Sequence, residues 1–232
     1  MESTKSKEPL WTTQVKLLEM HAKAERKNGN IEKAITILTS ASTIAKAYHG
    51  YGHSRNLVFR CAKYCNIFAN QLFDLGKIRE SAAVYKMEIG MLIEAQKDES
   101  AKRTILRVIT KFINEASQSY SKNDPLNKVF SLYMEALSMA VEYRMLGYAQ
   151  GISSAICSMP KSYDDQASYI KAWGAIGANA NKAAHDLGKK SDYKNAAQWC
   201  KFAEFAYGMA ENPNAAESMK MMSEIFASQR RN

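Results

Sequence analysis

Apolar residues recur at three- and four-residue spacing along nearly the whole chain, the period of amphipathic helices. A first helix runs from about Leu10 to Lys27, with Val15, Leu18 and Ala22 on one face. Asn28-Gly29-Asn30 is a turn, and a second helix carries Ile31, Ala34, Ile35, Leu38, Ala41 and Ala45. The stretch His49-Gly-Tyr-Gly-His53 breaks it, and Ser54 caps a third helix that reaches Leu75. Gly76 separates the stripe Phe68, Ala69, Leu72, Leu75 from the stripe Ile78, Ala82, Tyr85, Ile89. A glycine there can take positive φ and end one helix while the next begins, which makes a helical hairpin. The fourth helix ends near Asp98, and a fifth covers about Glu99 to Ser121. Asp124 is expected as N-cap and Pro125 as first residue of a sixth helix reaching about Leu146. A shorter segment ends at Met159-Pro160, helix resumes from about Asp164 to Leu187, Ser191 or Asp192 caps the next to about Glu211, and Asn214 to Ala227 is the last. The expectation is an all-α chain of about nine or ten helices in antiparallel hairpins.

The hairpins repeat. Gly29, Gly76, Asp124 and Ser191 each open a turn, and five residues later stand Ala34, Ser81, Val129 and Ala196. Seven residues before the turn are Ala22, Ala69, Ser117 and Ala184, where two helices must approach closely. Nine residues after it are Leu38, Tyr85, Tyr133 and Cys200, and twelve after it Ala41, Glu88, Ala136 and Ala203. The turns stand 47, 48 and 67 residues apart, from 29 to 76, to 124 and to 191.

This register resembles that of the tetratricopeptide-repeat (TPR) family, with Ala22, Gly29-Asn30-Ile31, Ala34, Leu38 and Ala41 as one of its two best matches. The other is Ala184, Ser191-Asp192-Tyr193, Ala196, Cys200 and Ala203. The Trp-x2-Leu-Gly signature of helix A is missing, Glu88 replaces an alanine, and the period exceeds the roughly 34 residues usual in the family. In helix number and length the chain is also similar to SNAP-type adaptors and to the 14-3-3 fold. It has Lys111-Phe112-Ile113-Asn114 where an Arg-Tyr pair would mark the latter. The resemblance implies one TPR-like domain over residues 10–228, a right-handed superhelix, between a disordered tail at 1–9 and a basic tail at 229–232.

The resemblance also implies an inner groove lined by one stripe of each helix A. Carried over residue by residue, repeat one presents Lys16, Glu19, Lys23 and Arg26, and repeat two Lys63, Asn66, Asn70 and Phe73. Repeat three, set at Ser117, presents Lys111, Asn114, Gln118 and Ser121, and repeat four Ala178, Asn181, His185 and Gly188. Lysine recurs at 16, 63 and 111, and asparagine at 66, 114 and 181. An asparagine amide can bond both groups of an extended peptide backbone, and a lysine supplies charge for a carboxylate or phosphate. The partner expected on this ground is an acidic or phosphorylated segment of another protein, with the chain acting as an adaptor.

Charge adds an alternative. The 232 residues carry a net +9, with a pI of about 9.3, which favours acidic partners. Lys102, Arg103, Arg107 and Lys111 follow one helix face, Lys182, Lys189, Lys190 and Lys194 cluster at the last hairpin, and Arg230-Arg231 end the chain. A basic helical protein can coat RNA or DNA through phosphate contacts and oligomerise along it. No aromatic-rich platform for single strands accompanies these cations.

Other chemistry is sparse. His49, His53, Cys61 and Cys65 have zinc-ligand residue types, but Cys65 shares the core stripe of Phe68 and Ala69, where cysteine acts as a small hydrophobe. Gly50-Tyr-Gly52 lacks a third glycine and a preceding strand, no phosphate-binding Gly-x4-Gly-Lys-Ser/Thr occurs, and no nucleophile–base arrangement stands out. Asp164-Asp165 reads as helix N-terminal charge. No enzyme activity, cofactor or metal is expected. The methionines Met219, Met221 and Met222 suit either core or partner surface. Without an h-region at MESTKSKEPLW, an 18-residue apolar run or a disulfide-framework spacing among four cysteines, an intracellular protein, cytoplasmic or nuclear, is expected.

Overall fold

The computed structural model describes residues 9–48, 52–159 and 166–229, without the side chains of residues 52 and 53. The expected tails apart from Pro9 and Gln229, His49, Gly50-Tyr51, the His53 side chain, Pro160, Asp164-Asp165 and Arg230-Arg231 therefore lie outside it. Among the described residues there are ten helices and no strand. They are α1 (Leu10–Lys27), α2 (Ile31–Ala47), α3 (Gly52–Asp74), α4 (Ile78–Glu94), α5 (Asp98–Ser121), α6 (Leu126–Glu142), α7 (Leu146–Cys157), α8 (Gln166–Lys189), α9 (Tyr193–Met209) and α10 (Pro213–Gln229). Consecutive helices pair as antiparallel hairpins, so the all-α hairpin-repeat architecture is as the periodicity predicts.

The chain divides into two compact units, Met1–Arg107 and Val108–Asn232, with the division inside α5. In the first unit α1 packs on α2, α2 on α3, α3 on α4, and α1 also touches α3. Its core holds Val15, Leu38, Phe68, Leu72, Tyr85 and Ile89, each 1% exposed or less. In the second unit α6 packs on both α7 and α8, α8 on α9 and α9 on α10. Trp173 is its largest fully buried side chain and meets Phe205 edge to face at 5.5 Å. Gly177 of α8 lies so close to α9 that a Cβ would come within 2.9 Å of the Tyr207 ring.

One turn geometry serves seven connections. Gly29, Gly76, Gln96, Asn123, Arg144, Ser191 and Glu211 all have φ between +53° and +81°. Each sends its N–H back three residues, and the residue after it bonds five residues back, as in Asn30 N to Glu25 O at 2.9 Å and Lys97 N to Leu92 O at 2.8 Å. That double bond is the Schellman ending, which satisfies carbonyls the helix leaves open. In six of the seven the next helix then starts at once, with Asn30, Lys77, Met145 and Asp192 as N-caps of matching geometry.

The third repeat departs from this. Pro125, not Asp124, is the N-cap of α6, with φ −52° and ψ 131°. One extra residue therefore separates the left-handed Asn123 from the helix. Helix A of this repeat is in register with Asn123, so its buried small residue is Ala116, 0% exposed, while Ser117 is exposed. Helix B follows Asp124, with Val129, Tyr133 and Ala136 buried as expected. The other small positions behave as the repeat predicts: Ala22, Ala69 and Ala184 are buried, and so are Ala34, Ser81 and Ala196.

Two of the seven left-handed residues are glycines, where positive φ carries no Cβ cost. Gly76→Ala is expected to lower stability by about 1 kcal/mol and Gln96→Gly to raise it by about 0.5–1 kcal/mol. Chemical denaturation of both variants checks this, and equal shifts of one sign would refute the turn assignment.

Candidate functional site

The site is built where α1 and α3 lie side by side in the first unit. A cleft of about 370 Å³ opens between them, walled by Met20, Tyr64 and Ile67 and edged by Lys23, Arg26 and Lys27. Met20 is 64% exposed and Ile67 39%, unusually bare for large apolar side chains on facing helices. The Lys23 ammonium stands 4.7 Å from the centre of the Tyr64 ring, a cation–π contact that holds the charge against the wall. Arg26 and Lys27 occupy the last turn of α1, where cations also complement the helix dipole.

The two acids of α1 are engaged elsewhere. Glu19 is 1% exposed and accepts from Arg60 of α3, with the Cys61 thiol 3.9 Å away. Burial raises its pKa above the ordinary carboxylate value, against the pull of Arg60, Lys23 and Lys16. Glu25 is bound by Lys33, Asn30 and His21, and the Lys33 and Asn30 hydrogen bonds bring its pKa down to about 2. Among the described residues no carboxylate lines the cleft.

Lys23 and Arg26, two residues of the implied groove, thus line the cleft, but the α3 stripe that faces them is Tyr64 and Ile67. The carried-over stripe of Lys63, Asn66 and Asn70 lies one residue round the helix and is largely spent on internal bonds. Lys63 rests 4.7 Å from the Phe59 ring centre. Asn66 donates to Glu88 of α4 at 2.9 Å, Asn70 donates to the Asn66 carbonyl at 2.8 Å, and the Tyr85 hydroxyl donates to Asn70 at 2.7 Å. Phe73 is buried, and so is Glu19.

Glu88 explains why the network exists. It occupies the position held by the fully buried Ala41, Ala136 and Ala203 in the other repeats, and is itself 5% exposed. Asn66 and, at 3.4 Å, Arg107 bond it, while burial raises its pKa. A raised carboxyl pKa means that the folded chain holds the proton more tightly than the unfolded one. Its stabilising contribution is complete at acid pH and is lost as pH rises from the ordinary value of 4.5 through the folded value. Glu88→Gln keeps an acceptor for Asn66 and removes that loss. It is expected to gain on the wild type in urea midpoint as pH rises above 4.5, whereas Glu88→Ala leaves Asn66 unsatisfied and loses about 1–3 kcal/mol. A pH-independent difference for Glu88→Gln would eliminate this titration as the cause.

In the second unit the shift of register moves the groove positions of α5. Those equivalent to Lys16, Glu19, Lys23 and Arg26 are Thr110, Ile113, Ser117 and Tyr120, and Lys111, Asn114 and Gln118 each stand one residue further on. Ser117 meets the Tyr133 hydroxyl at 3.1 Å. Asn181 is half-buried and His185 exposed, both on α8.

Three of the basic residues weighed for nucleic acid bond to Glu99 or Glu88. Lys102 pairs with Glu99 at 3.1 Å, Arg103 donates to the Glu99 carbonyl, and Arg107 reaches Glu88. Lys182, Lys189, Lys190 and Lys194 are exposed around the α8–α9 turn, and no ion pair involves them among the described residues. Lys194 and Lys201 line a cleft of about 530 Å³ between α9 and α10, with Ser223. Met219 is buried in α10 while Met221 is 51% exposed, so the methionine cluster divides between core and surface.

Burial pushes the Cys61 and Cys65 thiols up to about 12, which keeps them neutral small hydrophobes. Among the described residues no three His, Cys, Asp or Glu side chains converge to hold a metal ion. No helix among them is long and apolar enough to cross a membrane.

Met20, Ala24, Lys27, Tyr64 and Ile67 are the cleft residues that the repeat register did not select. Arg60, Tyr64 and Ile67 do form a stripe at three- and four-residue spacing, which is the signal that could have found them. Comparison with protein-family models, with curated proteins and with solved structures gives no match.

Proposed function

We propose that the chain is a TPR-like, non-enzymatic interaction module that binds an extended acidic or phosphorylated segment of another protein. One observation carries the reading: three cations edge the α1/α3 cleft while both acids of α1 are engaged away from it. The pairing of α1 with α2 and of both with α3 also suits a TPR-like repeat, in which successive A helices line the ligand face. An acidic segment lying along α1 would meet Lys23, Arg26 and Lys27 in turn. It would contribute charge-assisted bonds without displacing an internal ion pair.

A second reading, a basic helical protein that coats RNA or DNA, draws on the exposed and unpaired Lys182, Lys189, Lys190 and Lys194. Salt separates the two. Fluorescence anisotropy of the full chain with a labelled acidic peptide, its phosphorylated counterpart and a single-stranded RNA is measured at low and physiological salt. The proposal expects the peptides to remain bound at physiological salt and the RNA to be weak. Tight RNA binding with a steep salt slope, and no peptide binding, would replace it with the second reading.

A further inference from the structure

We infer that the α1/α3 cleft recognises an apolar side chain set between carboxylates, so that its ligand class is an acidic peptide with an embedded leucine, isoleucine, methionine or phenylalanine. The inference rests on the acidic-segment reading and narrows it.

The walls and the edge of the cleft ask for different chemistry. Met20 on α1 and Ile67 on α3 leave apolar surface in water from opposite sides of the cleft. An anion alone would satisfy Lys23, Arg26 and Lys27 and leave those walls wet. A purely apolar ligand would bury the walls and leave the three cations without a counter-charge. A volume of about 370 Å³ holds one large side chain and the groups beside it. Tyr64 cannot serve as a stacking platform for a nucleic-acid base on the face that carries Lys23, which argues for a peptide over a single strand. With the acids of α1 tied to Arg60 and Lys33, no carboxylate of the cleft repels the ligand.

The test uses the full chain and two labelled peptides of Asp, Glu, Gly and Ser, one with a central Leu and one with Ser in its place. Anisotropy at physiological salt is expected to show the Leu peptide binding on the order of 10-fold tighter, the value of one side chain largely buried. Met20→Ser with Ile67→Ser should remove that advantage, so that the variant binds the two peptides equally, as a double-mutant cycle requires of a direct contact. Both substitutions fall at exposed positions, and a melting curve confirms that the variant folds. Equal affinity of the wild type for the two peptides overturns the inference and leaves the acidic-segment reading intact. Failure of both peptides to bind even at low salt overturns both. Full displacement of the Leu peptide by an oligonucleotide of matching charge also overturns the inference, in favour of a plain polyanion site.

Discussion

Reversing two charges, Lys23→Glu with Arg26→Glu, is expected to weaken acidic-peptide binding by on the order of 100-fold or more. Hydrogen bonds to charged partners contribute about 1.5–3 kcal/mol each, and exposure of the cleft places these at the low end. Two of them lost give about 3 kcal/mol, or a little over 100-fold, before any repulsion from the new carboxylates. The fold should survive. Among the described residues neither cation makes an ion pair, both are half-exposed, and the buried Glu19, which Lys23 also attracts, keeps its bond to Arg60. Arg26 does lie in the last turn of α1, so an acid there costs about 0.5 kcal/mol against the helix dipole. Anisotropy with the acidic peptide reads the effect, and melting monitors the fold. Unchanged affinity in a folded variant would remove the α1/α3 cleft as the binding site.

Arg60→Ala has the largest expected effect on stability. It leaves Glu19, 1% exposed, without its counter-charge, while Arg60 itself is 45% exposed in its side chain. Breaking a buried pair from one side typically costs about 3–5 kcal/mol. Protonation of Glu19 limits the loss, so about 3 kcal/mol at neutral pH is expected, or roughly 6–12 °C at 2–4 °C per kcal/mol. The sign with pH follows. Removing Arg60 raises the already raised pKa of Glu19 further, so the variant loses stability as pH climbs above the ordinary 4.5 through the new folded value. Below that window the gap to the wild type should narrow. Adding Glu19→Gln to Arg60→Ala should restore most of the loss at neutral pH. Calorimetry at acid and neutral pH checks both statements, and a gap that is constant with pH would show that Arg60 acts through packing alone.

The pair also bears on the cleft. Glu19 and Arg60 join α1 to α3, with Met20 adjacent and Lys23 and Tyr64 one turn further on. Their loss is therefore expected to loosen the cleft as well as the first unit.

Much of the fold was legible because helical periodicity is local. The hairpin at Gly76 reads directly from two apolar stripes and one glycine with φ +74°. Glu88 stands out in the sequence as the one acid where three other repeats have alanine, but its burial and its bonds to Asn66 and Arg107 belong to the fold. The turn after α5 was not legible to the residue. Asn123 and Asp124 are both good turn formers, and Ala116 and Ser117 are both small, so sequence alone has no means of choosing between the two registers. Five of the seven left-handed residues are not glycine, and nothing local distinguishes Gln96 or Arg144 from its neighbours. The surrounding helices hold them there, and the doubled backbone bonds offset the strain.

Spacing within a single segment sets the helices, their pairing into hairpins and, outside the third repeat, the small residues at their crossings. Tertiary structure decided which polar stripe is available. Lys63, Asn66 and Asn70 lie about 100° round α3 from Tyr64 and Ile67, and both stripes look amphipathic in isolation. The buried Glu88 of α4 draws Asn66 inward and α1 packs beside the other stripe, so Asn66 and Asn70 hold the first unit together while Tyr64 and Ile67 wall the cleft. A helix's period is set by its own backbone, but the use of each face depends on what the rest of the chain brings against it.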